Sequence, residues 1–201
     1  MSGNRKPVAF LLGALLGLLI TAPVHADLEL RADGWHRWEV PAGSDAGDAC
    51  CRHELRGGVT LVGCNLGAGT QGPRPGPGCV TRSETLQVFV EIAAGQARQV
   101  HAFGGACPVD TGTPVEDHGE VLTADSLRSL ANRLGDDRRV LDGALVAIAA
   151  HEDAPAVRML VDIARDERRQ AAVRERALFW LVQSDSDTAW AFLDRLLAPG
   201  P

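Results

Sequence analysis

Apolar and polar positions alternate through the first half of the chain and then change period. Trp35-His36-Arg37-Trp38-Glu39-Val40 alternates large and polar groups, and 59–65 is short and rich in β-branched residues. Leu86, Val88, Val90 and Ile92 alternate with Gln87, Phe89 and Glu91, the period-two pattern of a half-buried strand. Ala94-Gly95-Gln96 interrupts this run and Arg98 to Phe103 resumes it, which predicts a β-hairpin over 85–103. Pro73, Pro75 and Pro77 stand among glycines in 67–78, which reads as a surface loop. The segment 110–119 is similar in kind and reads as a loop leading out of the β-rich part.

From Leu122 onward the period is helical. Thr123 is a suitable N-cap, Leu127, Leu130, Ala131 and Leu134 share one face, and Gly135 supplies a stop. A second helix is expected over 140–150. Asp153 caps a third, with Pro155 tolerated in its first turn. A fourth covers 171–182, and Ser186 caps a fifth that ends before Pro199.

These helices repeat. A shift of 33 residues places Val140 on Val173, Ala144 on Ala177, Leu145 on Leu178, Ala156 on Ala189 and Leu160 on Leu193. Ile148 meets Leu181, Met159 meets Phe192 and Ile163 meets Leu196, and the caps Asp153 and Ser186 coincide. A fixed period of this length marks stacked helical hairpins, each burying its apolar face against a neighbour. The pattern resembles the HEAT-like repeats of the phycobilin-lyase type, carried by Ala177-Leu178-Phe179-Trp180-Leu181 and Phe192-Leu193-Asp194-Arg195-Leu196-Leu197. Trp180 and Trp190 align with Ala147 and Val157; together with Phe192 they are candidates for partner contact, since tryptophan anchors many interfaces.

The first residues read as an address. Arg5 and Lys6 precede an uncharged apolar run from Val8 to Ile20, and Val24-His25-Ala26 offers a cleavage site, so 1–26 is expected to be a signal peptide. Its removal leaves 18 positive residues, all arginine, against 26 acids, a net charge of −8. That charge, without a basic cluster, speaks against nucleic acid and anionic lipid as partners. The expected location is periplasmic or secreted, with no membrane attachment after cleavage.

Five cysteines, at 50, 51, 64, 79 and 107, all fall in the first half. An oxidising compartment favours disulfides, and an odd number leaves one thiol over. Adjacent cysteines seldom bond to each other, so Cys50 and Cys51 are expected to pair with different partners, Cys64 and Cys107, in an order the sequence does not fix; Cys79 is then the free-thiol candidate. The layout as a whole resembles a group of secreted bacterial HEAT-repeat domain-containing proteins of unknown function. The likeness rests on the Trp-rich start, Cys50-Cys51, Gly63-Cys64-Asn65-Leu66, the hairpin leading to Cys107-Pro108-Val109-Asp110, and the repeats. The resemblance implies a cysteine frame of Cys50, Cys51, Cys64 and Cys107, and it implies no reaction.

The expected fold class is therefore α+β. A small disulfide-bearing antiparallel β domain (27–119) precedes an α-helical HEAT-like repeat domain (120–201), with repeats at about 137–167 and 170–200. The histidines at 36, 53, 101, 118 and 151 are scattered, and no zincin, nucleophile-elbow or phosphate-loop motif is present, so neither an enzyme nor a cofactor is expected. The expected function is an exported protein–protein interaction module for a protein or peptide partner. The alternative is a thiol- or zinc-based sensor centred on Cys50 and Cys51, with Cys50, Cys51, His53 and Cys64 as a ligand set zinc accepts.

Overall fold

A computed structural model of the protein describes residues 28–43, 52–55, 58–61, 64–67 and 83–198. Among the described residues, eight strands precede five helices: β1 (Gly34–Pro41), β2 (Arg52–Leu55), β3 (Gly58–Leu61), β4 (Cys64–Asn65), β5 (Thr85–Ala93), β6 (Gln96–Gly104), β7 (Val109–Asp110), β8 (Val115–Glu120), α1 (Thr123–Ala131), α2 (Arg138–Ala150), α3 (Asp153–Arg165), α4 (Ala171–Gln183) and α5 (Asp187–Leu197). The main sheet has the order β6-β5-β1-β8. β5 and β6 form a hairpin whose two turn residues, Ala94 and Gly95, both have positive φ, as a tight hairpin turn requires. The Asp33 carboxylate accepts hydrogen bonds from both turn amides, at 3.1 and 3.3 Å.

The α+β class fits this arrangement, but two parts of the expectation are corrected. The sheet is mixed, because β8 runs parallel to β1 while β1 and β5 pair antiparallel; β4 and β7 are also parallel. The segment 110–119, expected as an exit loop, supplies most of β8. Its polar sequence, Val115-Glu116-Asp117-His118-Gly119-Glu120, hides the strand because an edge strand lies open to water and lacks the alternation of a buried one. The disulfide-bearing description is not supported either: no pair of cysteines stands together among the described residues. Cys107 is buried and is not a free thiol. Cys50, Cys51 and Cys79 lie outside the described residues, as do the side chains of His53 and Cys64.

Hydrophobic burial accounts for both faces of the sheet. Trp38, Val40, Leu86, Val88 and Val90 point to the helices and share one cluster with Leu130, Leu145, Ile148, Leu160 and Leu181. On the other face Trp35, Phe89, Phe103 and Cys107 form a second cluster, with Leu66, Val109 and Val115 packed against it. Thus β5 is buried on both sides from Leu86 to Val90, more than the half-burial its alternation predicts. Gln87 is tolerated there because its amide donates to the carbonyls of Gly104 (3.0 Å) and Cys107 (2.6 Å), and its oxygen accepts from Arg37 Nε (3.2 Å).

α2 lies directly on β6. Gly143 allows the approach, since a Cβ there would collide with the backbone carbonyl of Val100. α2 packs on α3 and α4, and α3 packs on α4 and α5, so the first helices of the two predicted units adjoin each other, as do the second helices. Burial follows the 33-residue offset: Val140 and Val173, Ala144 and Ala177, Ile148 and Leu181, Ala156 and Ala189, and Leu160 and Leu193 are all buried. Arg176 on α4 donates two hydrogen bonds to Asp142 on α2, at 2.8 and 3.2 Å. α3 begins at Asp153, with Glu152 at its N-cap position. Neither Glu152 nor Ser186, which does hold the N-cap position of α5, makes a side-chain cap bond, whereas Asp137 caps α2 through the amides of Arg139 and Val140.

Candidate functional site

A surface groove of about 530 Å³ opens where α3, α4 and α5 meet. Its lining combines Leu178, Phe192 and Leu196 with Arg165, Arg174 and Arg195 and with Glu167 and Glu175. Phe192 is buried and forms the floor, with the Arg165 guanidinium carbon 4.9 Å from its ring centroid. A cation over an aromatic face is held by the ring quadrupole. That contact fixes the Arg165 guanidinium at the groove while its N–H groups remain donors. The Nε of Arg174 is buried and has no hydrogen-bond partner among the described residues. The groove therefore combines an apolar floor with guanidinium donors, a set that suits an apolar side chain beside a carboxylate.

Of the three expected contact residues, only Phe192 belongs to this groove. Trp190, on α5, is 48% exposed, whereas Val157, its counterpart one repeat earlier, is 3% exposed. Trp180 is partly buried against the helical core, with the Phe179 ring edge-on at 5.5 Å. The last repeat leaves open what the first covers: Leu196 is 56% exposed and its counterpart Ile163 only 2%.

Two arrangements were not foreseen from the sequence. One is a buried chain linking the sheet to the helices. Trp38 Nε1 donates to Ser126 Oγ (2.7 Å), Ser126 Oγ lies 2.8 Å from His151 Nε2, and His151 Nδ1 lies 2.6 Å from the Ala147 carbonyl. A carbonyl only accepts, so Nδ1 carries the proton and Nε2 accepts from the serine. Burial pushes the His151 pKa down to about 4, opposed by the hydrogen bond to Ala147. Ser126 and His151 are both fully buried, so the pair acts as an internal strut with no access for a substrate.

The other is a cluster of His36, Glu116 and His118, whose donor atoms all lie within 4.8 Å of one another. His36 is on β1; Glu116 and His118 are on the adjoining edge strand β8. The register places Glu116 opposite His36, and pairing then skips two residues of β8, His118 and Gly119, opposite Trp38 alone. Gly119 has φ +67°, and its amide is held by the Asp117 carboxylate at 2.9 Å. Such a bulge re-aims the side chain it carries. It leaves His118 Nε2 3.0 Å from His36 Nδ1, with the two ring planes 19° apart. The only sequence cue is the spacing Glu116-x-His118, two ligand types on one face of an extended segment.

No protein family, no curated protein and no solved structure matches the chain, so its function has to be argued from its own geometry.

Proposed function

We propose that the protein is an exported protein–protein interaction module, with a short HEAT-like helical stack as its working part. The groove of α3, α4 and α5 takes an acidic–apolar segment of a partner protein or peptide. The observation that carries this reading is the groove itself, where Phe192 under the Arg165 guanidinium is flanked by Leu178, Leu196, Arg174 and Arg195. An aliphatic or aromatic side chain fills the floor, and a neighbouring carboxylate reaches the guanidinium donors. The 33-residue recurrence of buried positions supports the repeat reading, and the charged, apolar and small-residue order of 1–26 supports export. No helix among the described residues is long and apolar enough to cross a membrane.

Selection of a random peptide library on the full chain tests the groove. Enriched peptides should pair Asp or Glu with a large apolar residue. Arg174→Ala and Arg195→Glu should each weaken their binding about tenfold or more, the scale of one buried charge-assisted contact. Peptides without acidic bias, or binding indifferent to both substitutions, would remove the reading. Export is checked by the mass of the protein recovered outside the cytoplasm, which should correspond to a chain beginning at Asp27.

A further inference from the structure

We propose that His36, Glu116 and His118 form a binding site for a divalent transition-metal ion of the zinc type. The case begins with His36, which is 1% exposed. Its Nε2 lies 2.8 Å from the Ala32 carbonyl. Because a carbonyl can only accept, Nε2 carries the proton and Nδ1 presents its lone pair. That lone pair faces the two other donors, with His118 Nε2 at 3.0 Å and Glu116 Oε2 at 3.5 Å. A metal-binding histidine commonly donates its second N–H to a backbone carbonyl, which fixes its tautomer and ring orientation, and His36 is already held in this way.

The two separations from His36 Nδ1 fit. Bonds of 2.0–2.1 Å to a tetrahedral ion put neighbouring donor atoms about 3.3 Å apart, close to both distances from His36 Nδ1. Two imidazoles and one carboxylate are a donor set that zinc accepts, and nickel and copper share the preference for imidazole. In the arrangement seen, His118 donates its Nε2–H to His36 Nδ1. An ion takes the place of that proton, which moves to Nδ1 by tautomer exchange through solvent, because His118 is only partly buried at the sheet edge; Nε2 then presents its lone pair. Glu116 is exposed, so water can occupy the fourth position. The site is independent of the helical groove and of the cysteines.

Titration of the chelator-treated full chain with zinc, followed by calorimetry, tests the assignment. Wild type should bind one equivalent at micromolar zinc. His118→Ala and Glu116→Gln should each weaken binding at least about tenfold, and Glu116→Gln, at an exposed side chain, should leave the thermal midpoint of the zinc-free protein unchanged. Both positions lie at the sheet edge, so the test does not depend on replacing the buried His36. Cobalt(II) in the same site should show ligand-field bands without thiolate charge-transfer absorption. Absence of binding to wild type, binding unaffected by both substitutions, or a strong thiolate band would each overturn the proposal.

Discussion

At the scale of single residues, His151 makes the clearest commitment. Its folded pKa of about 4 lies below the ordinary 6.5, so between these values the unfolded chain takes up a proton that the folded chain refuses. Stability from this residue is complete above about pH 6.5 and falls as the pH drops towards 4, by up to about 3 kcal/mol. Urea unfolding at a series of pH values should show this slope, and His151→Gln should flatten it. Gly119→Ala tests the bulge: nothing crowds the position, so only the positive φ opposes a side chain, and chemical denaturation should register a loss of about 1 kcal/mol. These residue roles were poorly legible in the sequence. His36 and His118 stand 82 positions apart, and Ser126 and His151 stand 25 apart, so no local spacing announces either arrangement. Periodicity reports which face a residue occupies and cannot say which distant residue shares that face.

At the scale of elements, the reading succeeded where burial imposes a regular period. The hairpin of β5 and β6 and the helices from Thr123 onward lie where the alternation and the 3.6-residue spacing put them. It failed at β8, whose polar face meets water and leaves no hydrophobic trace. The disulfides were expected from compartment and count and the cysteine frame from a resemblance, none of which positions a sulfur atom. Gly143 shows how tertiary contact inverts a local rule. Gly→Ala inside a helix ordinarily stabilises by about 1 kcal/mol, yet Gly143→Ala should destabilise by about 1–3 kcal/mol, because the new methyl meets the Val100 carbonyl and lifts α2 from β6. The unfolding midpoint in denaturant gives the sign directly. The Asp142–Arg176 link between α2 and α4 is half-exposed on both sides. A double-mutant cycle should return a small coupling that shrinks as salt is added.

At the scale of the molecule, one apolar cluster runs from Trp38 and Val88 in the sheet to Leu181 in α4. Leu145 is fully buried within it, and Leu145→Ala should cost about 2–5 kcal/mol. Far-UV ellipticity and amide exchange from β5 should shift by the same amount in that variant. A helical signal that moves alone would mean the cluster does not couple the two layers.

The pairing order of the sheet also bears on how the chain reaches its final form. β1 is the first of the described strands, yet its neighbours begin at Thr85 and Val115. Ring closure over such distances costs chain entropy before any contact repays it, and topologies of this kind fold slowly. β1 has no partner until β5, which ends at Ala93, and its other edge stays open until β8. Closure of the sheet therefore waits on strands far along the chain, whether the polypeptide folds as it is made or from denaturant.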